Sequence, residues 1–271
     1  MQVFEFQDTQ EQLLLCLNYD FSTDCESDRE VALQKLGRAA EVKRFWNYNT
    51  LWTGLRVLVA YEDTTPVGHL ELIPIEYAPR PVKGEDLIFI DCLFVAPKAR
   101  RHGVGSGLLQ ACEDRARTHS KGLAVIAYPD SPHMPTDFFI EHGFSIQAAD
   151  VETNTRLMVK TWAEVTAPEF LPRHYVSPQA VPPGQAVVDL FWCGQCPFYA
   201  RTRDQLMKVA REMHKTVTVR EINTDQRLAV EQWGLTNALY INGQSVFKSS
   251  PTETEIRQAL ESAIQDERVA V

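Results

Sequence analysis

Five prolines fall within Ala163–Gln185: Pro168, Pro172, Pro178, Pro182 and Pro183. Proline fixes φ and removes a backbone donor, so neither a helix nor a sheet ladder runs unbroken through such a stretch. The segment shows no sustained hydrophobic periodicity and reads as a partly extended, semi-rigid linker. The chain must therefore form two cores rather than one. The expected division is a first domain over 1–162, a linker over 163–185 and a smaller domain over 186–271.

The composition, 44% apolar and 23% charged, is that of a globular protein. No apolar run is long enough to span a membrane, and "MQVFEFQDTQ" lacks a basic segment followed by an apolar one, so a cytoplasmic location is expected. A net charge of −9 argues against nucleic-acid binding, which needs a basic surface. Of the six cysteines, Cys16, Cys25, Cys92 and Cys112 are scattered and only Cys193 and Cys196 are tightly spaced. Reduced thiols are expected in such a protein. Cys92 and Cys112 sit in apolar patterns and read as core fillers, and no role is assigned to Cys16 or Cys25.

The first part reads as a mixed α/β domain with an antiparallel front half. "QVFEF" is a strand and a helical region follows to about Trp46. "LRVLVAYED", "PVGHLELIPI" and "EDLIFIDCLFVAP" are strands. "GVGSGLLQACEDRARTH" is a helix with Val104, Leu108, Leu109 and Cys112 on one face. A buried strand "GLAVIAY", a short helix "MPTDFFIEHG" closed by Gly143, and a final strand pair complete it. The second part has the order βαβαββα. "AVVDLFW" is its first strand and Cys196–Lys215 its first helix, Asn242-Gly243 turns a hairpin, and Ser250 caps the last helix with Pro251 and Glu253 following.

Most of the chemistry lies in "FVAPKARRHGVGSGLLQ". An apolar strand ends at Val95-Ala96-Pro97, a basic segment with Lys98, Arg100, Arg101 and His102 follows, and Gly103 and Gly105 open a helix. Glycines permit close backbone approach, and the unpaired N–H groups of a helix start, aided by the dipole, suit an anion such as a pyrophosphate. A tight strand-to-helix turn is the plain alternative.

The longer pattern resembles the acetyl-CoA signature of the GNAT superfamily of N-acetyltransferases. Arg100-Arg101-His102-Gly103-Val104-Gly105 follows Leu93-Phe94-Val95-Ala96-Pro97, and "DFFIEHGF" is similar to a later family motif. The resemblance implies acetyl-CoA as cosubstrate and backbone amides of Arg101 to Ser106 on its pyrophosphate. It implies Leu93, Phe94 and Val95 pairing with the pantetheine arm, one N–H there polarising the thioester carbonyl. The acceptor, an amine, must be neutral to attack, so a base or water wire is needed. Phe139 replaces the family's general-acid tyrosine and cannot donate a proton. Tyr128 is the candidate in its place, an ordinary strand-end tyrosine being the alternative. Asp91 is the candidate base. Alternation places it on the face of Leu93 and Val95, and a paired structural Asp is the alternative. Glu71 is second choice, read as a solvated strand position, and Arg80 and Lys83 read as solvated surface charges.

"WCGQCP" in the second part, with a CxxC after the first strand of a βαβαββα order, resembles the thioredoxin superfamily. By that analogy Cys193 attacks and Cys196 resolves, helped by a helix N-terminus that favours thiolate. The proline that the family places before its third core strand is missing, and Asn237 stands there. A closed zinc site lacks ligands; two thiolates could hold a thiophilic ion. Taken together the chain looks most like bacterial acetyltransferases with a YoaP-like C-terminal domain. The expected protein is an N-acetyltransferase for a small-molecule amine, with a thioredoxin-like accessory domain and no nucleic-acid or membrane partner. A homodimer contact is among the roles open to the tail. The alternatives are a non-catalytic CoA-binding module, or a thiol-disulfide or thiophile-binding protein in which CoA is regulatory.

Overall fold

The computed structural model describes residues 1–6, 29–178, 181–247 and 251–265. Cys16, Cys25 and Ser250 lie outside them. The chain divides into two compact units, Met1–Leu171 and Pro172–Val271. Among the described residues no helix is long and apolar enough to cross a membrane.

The first unit runs β1 (Gln2–Phe6), α1 (Arg29–Thr50), β2 (Arg56–Glu62), β3 (Thr65–Pro74), β4 (Val82–Lys83), β5 (Leu87–Val95), α2 (Val104–Ala116), β6 (Gly122–Ala127), α3 (Thr136–Glu141), β7 (Ser145–Asp150), β8 (Thr155–Thr161) and β9 (Glu169–Phe170). Seven of these strands form one sheet in the order β1-β2-β3-β5-β6-β8-β7. Only the β5–β6 pairing in it is parallel. The parallel step is possible because α2 supplies the crossover that two adjacent parallel strands require. Val104, Leu108, Leu109, Cys112 and Ala116 of α2 are buried against Leu70, Ile90, Leu93 and Leu123 of the sheet. Each valine, leucine or isoleucine among them contributes about 1.5–3 kcal/mol by leaving water. Part of the proline-rich stretch belongs here, since Glu169–Phe170 pairs with Val82–Lys83.

A bulge interrupts the β3–β5 ladder. Glu71 faces Cys92 but Leu72 faces Ile90, leaving Asp91 as the extra residue. Ile90 and Leu93, three apart, therefore share the main core, while Cys92 and Phe94 pack with Val57 and Val59. A bulge bends its strand and re-aims side chains. The simple alternation expected to align Asp91 with Leu93 and Val95 does not hold across it.

The second unit runs β10 (Ala186–Trp192), α4 (Pro197–Glu212), β11 (Val217–Asn223), α5 (Arg227–Trp233), β12 (Ala238–Ile241), β13 (Gln244–Ser245) and α6 (Glu253–Gln265). Its sheet order is β11-β10-β12-β13, with β10–β11 parallel and the other pairs antiparallel. The turn between β12 and β13 has positive φ at both Asn242 and Gly243, which is why Asn-Gly stands there. Tyr175, from the proline-rich stretch, stacks on Tyr240 at 4.0 Å and donates to the buried Asp189 at 2.7 Å. The cap of α6 falls two residues later than expected. Thr252 Oγ1 accepts the Glu255 N–H, and the Glu255 carboxylate accepts the Thr252 N–H at 2.7 Å. Ser250-to-Glu253 and Thr252-to-Glu255 both carry the capping-box spacing, so the sequence fits either start.

Gly68 on β3 marks where α2 presses closest to the sheet. A Cβ there would meet Val104 Cγ1 at 2.9 Å, the Phe94 carbonyl at 3.0 Å and Leu108 Cδ1 at 3.1 Å. Gly68→Ala is expected to cost about 1–3 kcal/mol through overpacking, read as a lower urea midpoint with unchanged slope. An unchanged midpoint would show that the helix is not seated this tightly.

Candidate active site

The strands part in the middle of the sheet. β5 pairs with β3 as far as Val95, but with β6 only through Ile90↔Val125. Beyond Ile90, no strand among the described residues lies beside the Asp91–Val95 edge of β5 on the β6 side. An edge of this kind can pair with an extended ligand through backbone groups. Leu93 and Phe94 are buried there and Val95 is half-buried. Arg80 donates to the Asp91 carbonyl at 3.3 Å, and Arg100 Nε to the Val95 carbonyl at 3.1 Å. Two arginines thus fix the two ends of the open edge.

The edge leads into the loop before α2. Arg101 has φ 64° and Gly103, the N-cap, has φ 79°. Left-handed residues in a turn are a feature of backbone concavities that can hold an anion. The first-turn amides of Val104, Gly105 and Ser106 follow. Lys98, Arg101, His102 and Gly103 are exposed, and Arg100, Gly105 and Ser106 half-buried. A Cβ on Gly105 would touch Phe138 at 3.4 Å. His142 holds the Phe138 carbonyl with Nδ1 at 2.7 Å and Ser106 Oγ with Nε2 at 2.9 Å. In a neutral ring the carbonyl contact requires the proton on Nδ1, so Ser106 donates to Nε2.

Below the open edge lies a cluster of buried charge. Lys43 Nζ from α1 meets Glu71 Oε1 at 2.6 Å, both side chains 1% exposed. Arg80 Nε lies 2.7 Å from the fully buried Asp91 carboxylate, an ion pair rather than an aligned hydrogen bond. Burial raises the Asp91 pKa above its ordinary value, while Arg80 pulls it down and Glu71 adds to the rise. His69, also buried, sits with Nε2 3.6 Å from Cys92 Sγ and stacks on Phe94 at 5.7 Å. Burial drops its pKa to about 4. The ligating atoms of His69, Glu71 and Cys92 lie within 4.8 Å of one another. Lys43 already neutralises Glu71, so a cation placed among them would meet the ammonium.

Glu71 and Arg80 are thus inside this cluster and not the solvated positions their sequence context suggests. Lys83 does pair at the surface, with Glu169 at 2.6 Å. Tyr128 is half-buried at the end of β6, where the strands have parted. Its N–H donates to Met134 O at 3.0 Å, and Thr136 N–H to its carbonyl at 3.2 Å, so the intervening loop folds back. That loop brings His133 to 6.2 Å from the Tyr128 ring. Burial, then Arg80 and Arg100, lower the His133 pKa to about 4. His69 and His133 were missed from sequence, because only the pairing of β3 with β5 and the folded-back loop give them their surroundings. Phe139 is fully buried in the core, 5.3 Å from Phe144, so that position supplies no acid.

In the second unit Cys193 follows β10 and Cys196 is the N-cap of α4, with Pro197 first in the helix. The helix therefore begins after both cysteines, not between them. Cys193 is buried and Cys196 half-buried. Asn237 Oδ1 accepts the Cys193 N–H at 2.9 Å, and Asp225 Oδ1 accepts the Gly194 N–H at 2.7 Å.

Residues 22–144 match the profile of the acetyltransferase (GNAT) family. The chain is similar to a PaiA N-acetyltransferase from Thermoplasma acidophilum solved with coenzyme A. Identity is 15%, coverage 60% of this chain and 100% of the other, and the TM-score 0.43. It is also similar to a GNAT family acetyltransferase from Brucella melitensis in complex with acetyl-CoA, at 13% identity, covering 61% and 90%, with a TM-score of 0.39. An acetyltransferase of the GNAT family from Staphylococcus aureus Mu50 gives 14%, 60%, 99% and 0.41 in the same order. No curated protein matches the sequence.

The two imidazoles carry a pH signature. Each titrates near 6.5 when exposed and near 4 when folded. A lowered folded pKa leaves stability intact above the unfolded value and removes it as pH falls from about 6.5 toward 4, by about 3 kcal/mol per ring at full effect. Urea unfolding at pH 7.5 and pH 5 is expected to show this loss, and His69→Gln to reduce it. Equal midpoints at the two pH values would contradict the lowered pKa of these rings in the folded protein.

Proposed function

We propose that the first unit, in which residues 22–144 match the profile of the GNAT acetyltransferase family, transfers the acetyl group of acetyl-CoA to the amine of a small molecule. A single observation carries this reading: the open Asp91–Val95 edge runs directly into a helix start whose N-cap, Gly103, has left-handed backbone. The cosubstrate's phosphates lie on the amides of Arg101, His102, Gly103, Val104, Gly105 and Ser106, with Arg100 holding the strand end. Its pantetheine arm pairs with Leu93, Phe94 and Val95. A backbone N–H of that edge polarises the thioester carbonyl, where preorganised donors act most strongly.

The amine arrives protonated and must lose a proton before attack. Asp91 is the base. Burial raises its pKa, which makes the carboxylate a better proton acceptor, and Arg80 keeps it ionised enough to act. The tetrahedral intermediate collapses with loss of CoA thiolate; Tyr128 protonates that sulfur and takes back the proton that the new amide nitrogen sheds. His133 stays uncharged beside Tyr128 at neutral pH and adds no competing cation.

The second unit is read as a thioredoxin-like accessory domain with a reactive dithiol. Support comes from its strand order, with β10 central, β11 parallel and β12 antiparallel to it, and from a CxxC directly after β10.

Thiol release from acetyl-CoA with a panel of amines tests the transferase. Turnover with at least one amine is expected, rising with pH as Asp91 loses its proton. Asp91→Asn should lower kcat/KM by about 10²–10⁴-fold while leaving CoA affinity near that of the parent. Gly103→Val, at φ 79°, should weaken CoA binding about tenfold, because a β-branched residue resists left-handed backbone. Tight CoA binding with no turnover on any amine would sink the enzyme reading in favour of a binding module.

A further inference from the structure

We infer that His142 is a positioning residue of the cosubstrate's phosphate site: its charge state sets which way the Ser106 hydroxyl points, so that binding of the pyrophosphate takes up a proton. The inference rests on the acetyl-CoA reading just given and adds a residue that the loop motif does not contain.

Geometry comes first. Ser106 lies in the first turn of α2 and carries the only side-chain hydroxyl between Lys98 and Gly107. Its Oγ is 2.9 Å from His142 Nε2, and His142 Nδ1 is 2.7 Å from the Phe138 carbonyl. The ring is held in place. It packs on Phe138 at 4.3 Å and 37°, and Phe138 stands nearly perpendicular to the buried Phe139 at 5.2 Å. The Phe138 ring also presses on the first turn of α2, where a Cβ on Gly105 would meet it at 3.4 Å. The end of α3 thus braces the helix start with an imidazole whose two nitrogens are both engaged.

The proton positions follow from these contacts. A carbonyl only accepts, so Nδ1 carries a hydrogen in either charge state. In the neutral ring Nε2 is then a bare acceptor and takes the single hydroxyl hydrogen of Ser106. The oxygen turns only lone pairs toward a neighbouring anion. In the imidazolium Nε2 also carries a hydrogen and donates to Oγ, which releases the hydroxyl hydrogen toward a phosphate oxygen. The anion gains a donor and a nearby positive charge, and hydrogen bonds that involve an ion are the stronger kind. The charged ring also suits its place. His142 is the C-cap of α3, where a cation meets the last carbonyls of the helix. A ligand that prefers the charged ring binds more tightly as pH falls, and by reciprocity draws a proton onto the ring when it binds.

Other charged groups stand on the elements around the ring. Asp137 and Glu141 belong to α3, and Arg101 and His102 to the loop before α2. Lys160 of β8, whose side chain passes Gly143, pairs with Glu113 of α2. Carboxylates, ammonium and guanidinium groups keep their charge between pH 6 and 8. His102 is therefore the competitor that the test must separate.

Calorimetric titration of the full chain with 3′-dephospho-CoA at pH 6 and pH 8 is the test. This probe keeps the pyrophosphate and lacks the phosphomonoester, whose second proton titrates in the same range. Wild-type protein is expected to bind about three- to tenfold more tightly at pH 6, the scale of one net hydrogen bond. It should also take up protons at pH 7, read from the heats in two buffers of different ionisation enthalpy. His142→Gln should bind equally at both pH values, because an amide keeps a contact to Ser106 without changing charge. Ser106→Ala should lose most of the dependence, while Ser106→Thr and His102→Gln keep it. Undiminished dependence in His142→Gln or Ser106→Ala, its loss in His102→Gln, or none in the wild type overturns the inference and leaves the acetyl-CoA reading standing. Failure of the wild type to bind either CoA or dephospho-CoA at both pH values overturns that reading, and this inference with it.

Discussion

The bulge at Asp91 is the constraint on which the first unit depends. One extra residue in β5 shifts which side chains face α2, so Ile90 and Leu93 both enter the main core. It falls where the β5–β6 pairing stops, after Ile90. Two consequences follow from one insertion. The strand bends and frees an edge for a ligand, and the carboxylate leaves the alternation that would otherwise press it among aliphatic side chains. Without the bulge, Asp91 would share the face of Leu93, against α2, and an unpaired charge there would cost far more than a fold of this size tolerates.

The buried charges of this site are poor candidates for stabilising the fold. Removing Lys43 and Glu71 from water costs several kcal/mol per ion, and their attraction at 2.6 Å roughly offsets it. The same holds for Arg80 and Asp91. Their effect is geometric. Lys43 fixes α1 to β3, and Arg80 grips both the carboxylate and the carbonyl of Asp91. A ligand on the open edge therefore meets backbone already set in place. Arg80 is the direct partner of Asp91, and burial outweighs it in setting the direction of the Asp91 pKa.

How much of this was legible follows from the range of each interaction. The loop before α2 was readable because its cause is local: glycine at a left-handed N-cap, after a strand and before an apolar helical face. The hairpin at Asn242-Gly243 was readable for the same reason. Asp91 stood out as a charge inside "IFIDCLFV", but its orientation did not, since nothing in that string marks the bulge. Glu71 looked solvated because its cover, Lys43, comes from a helix 28 residues earlier. Arg80 sits in a loop with no periodicity, and its partner was fixed only by the fold. His133 depended on a loop folding back onto Tyr128, which sequence spacing does not encode.

The two cysteines of the second unit show how the start of a helix sets the surroundings of nearby side chains. A cysteine gains from a helix N-terminus only within the first turn, because the field of the dipole and the unpaired amides fade beyond it. Read as a string, Trp192-Cys193-Gly194-Gln195-Cys196 offers both cysteines that position. Proline decides between them. Pro197 fits the first helical site, where its missing N–H costs nothing and its φ is already set. Were the helix to start at Cys193, Pro197 would lie in its interior, where it would break a hydrogen bond and clash with the preceding turn. Starting the helix at Pro197 leaves residues 193 to 195 as a turn. The amides of Cys193 and Gly194 then need other acceptors, and Asn237 and Asp225 provide them. Those acceptors close over Cys193. The burial of one thiol and the half-exposure of the other are thus two results of a single helix start.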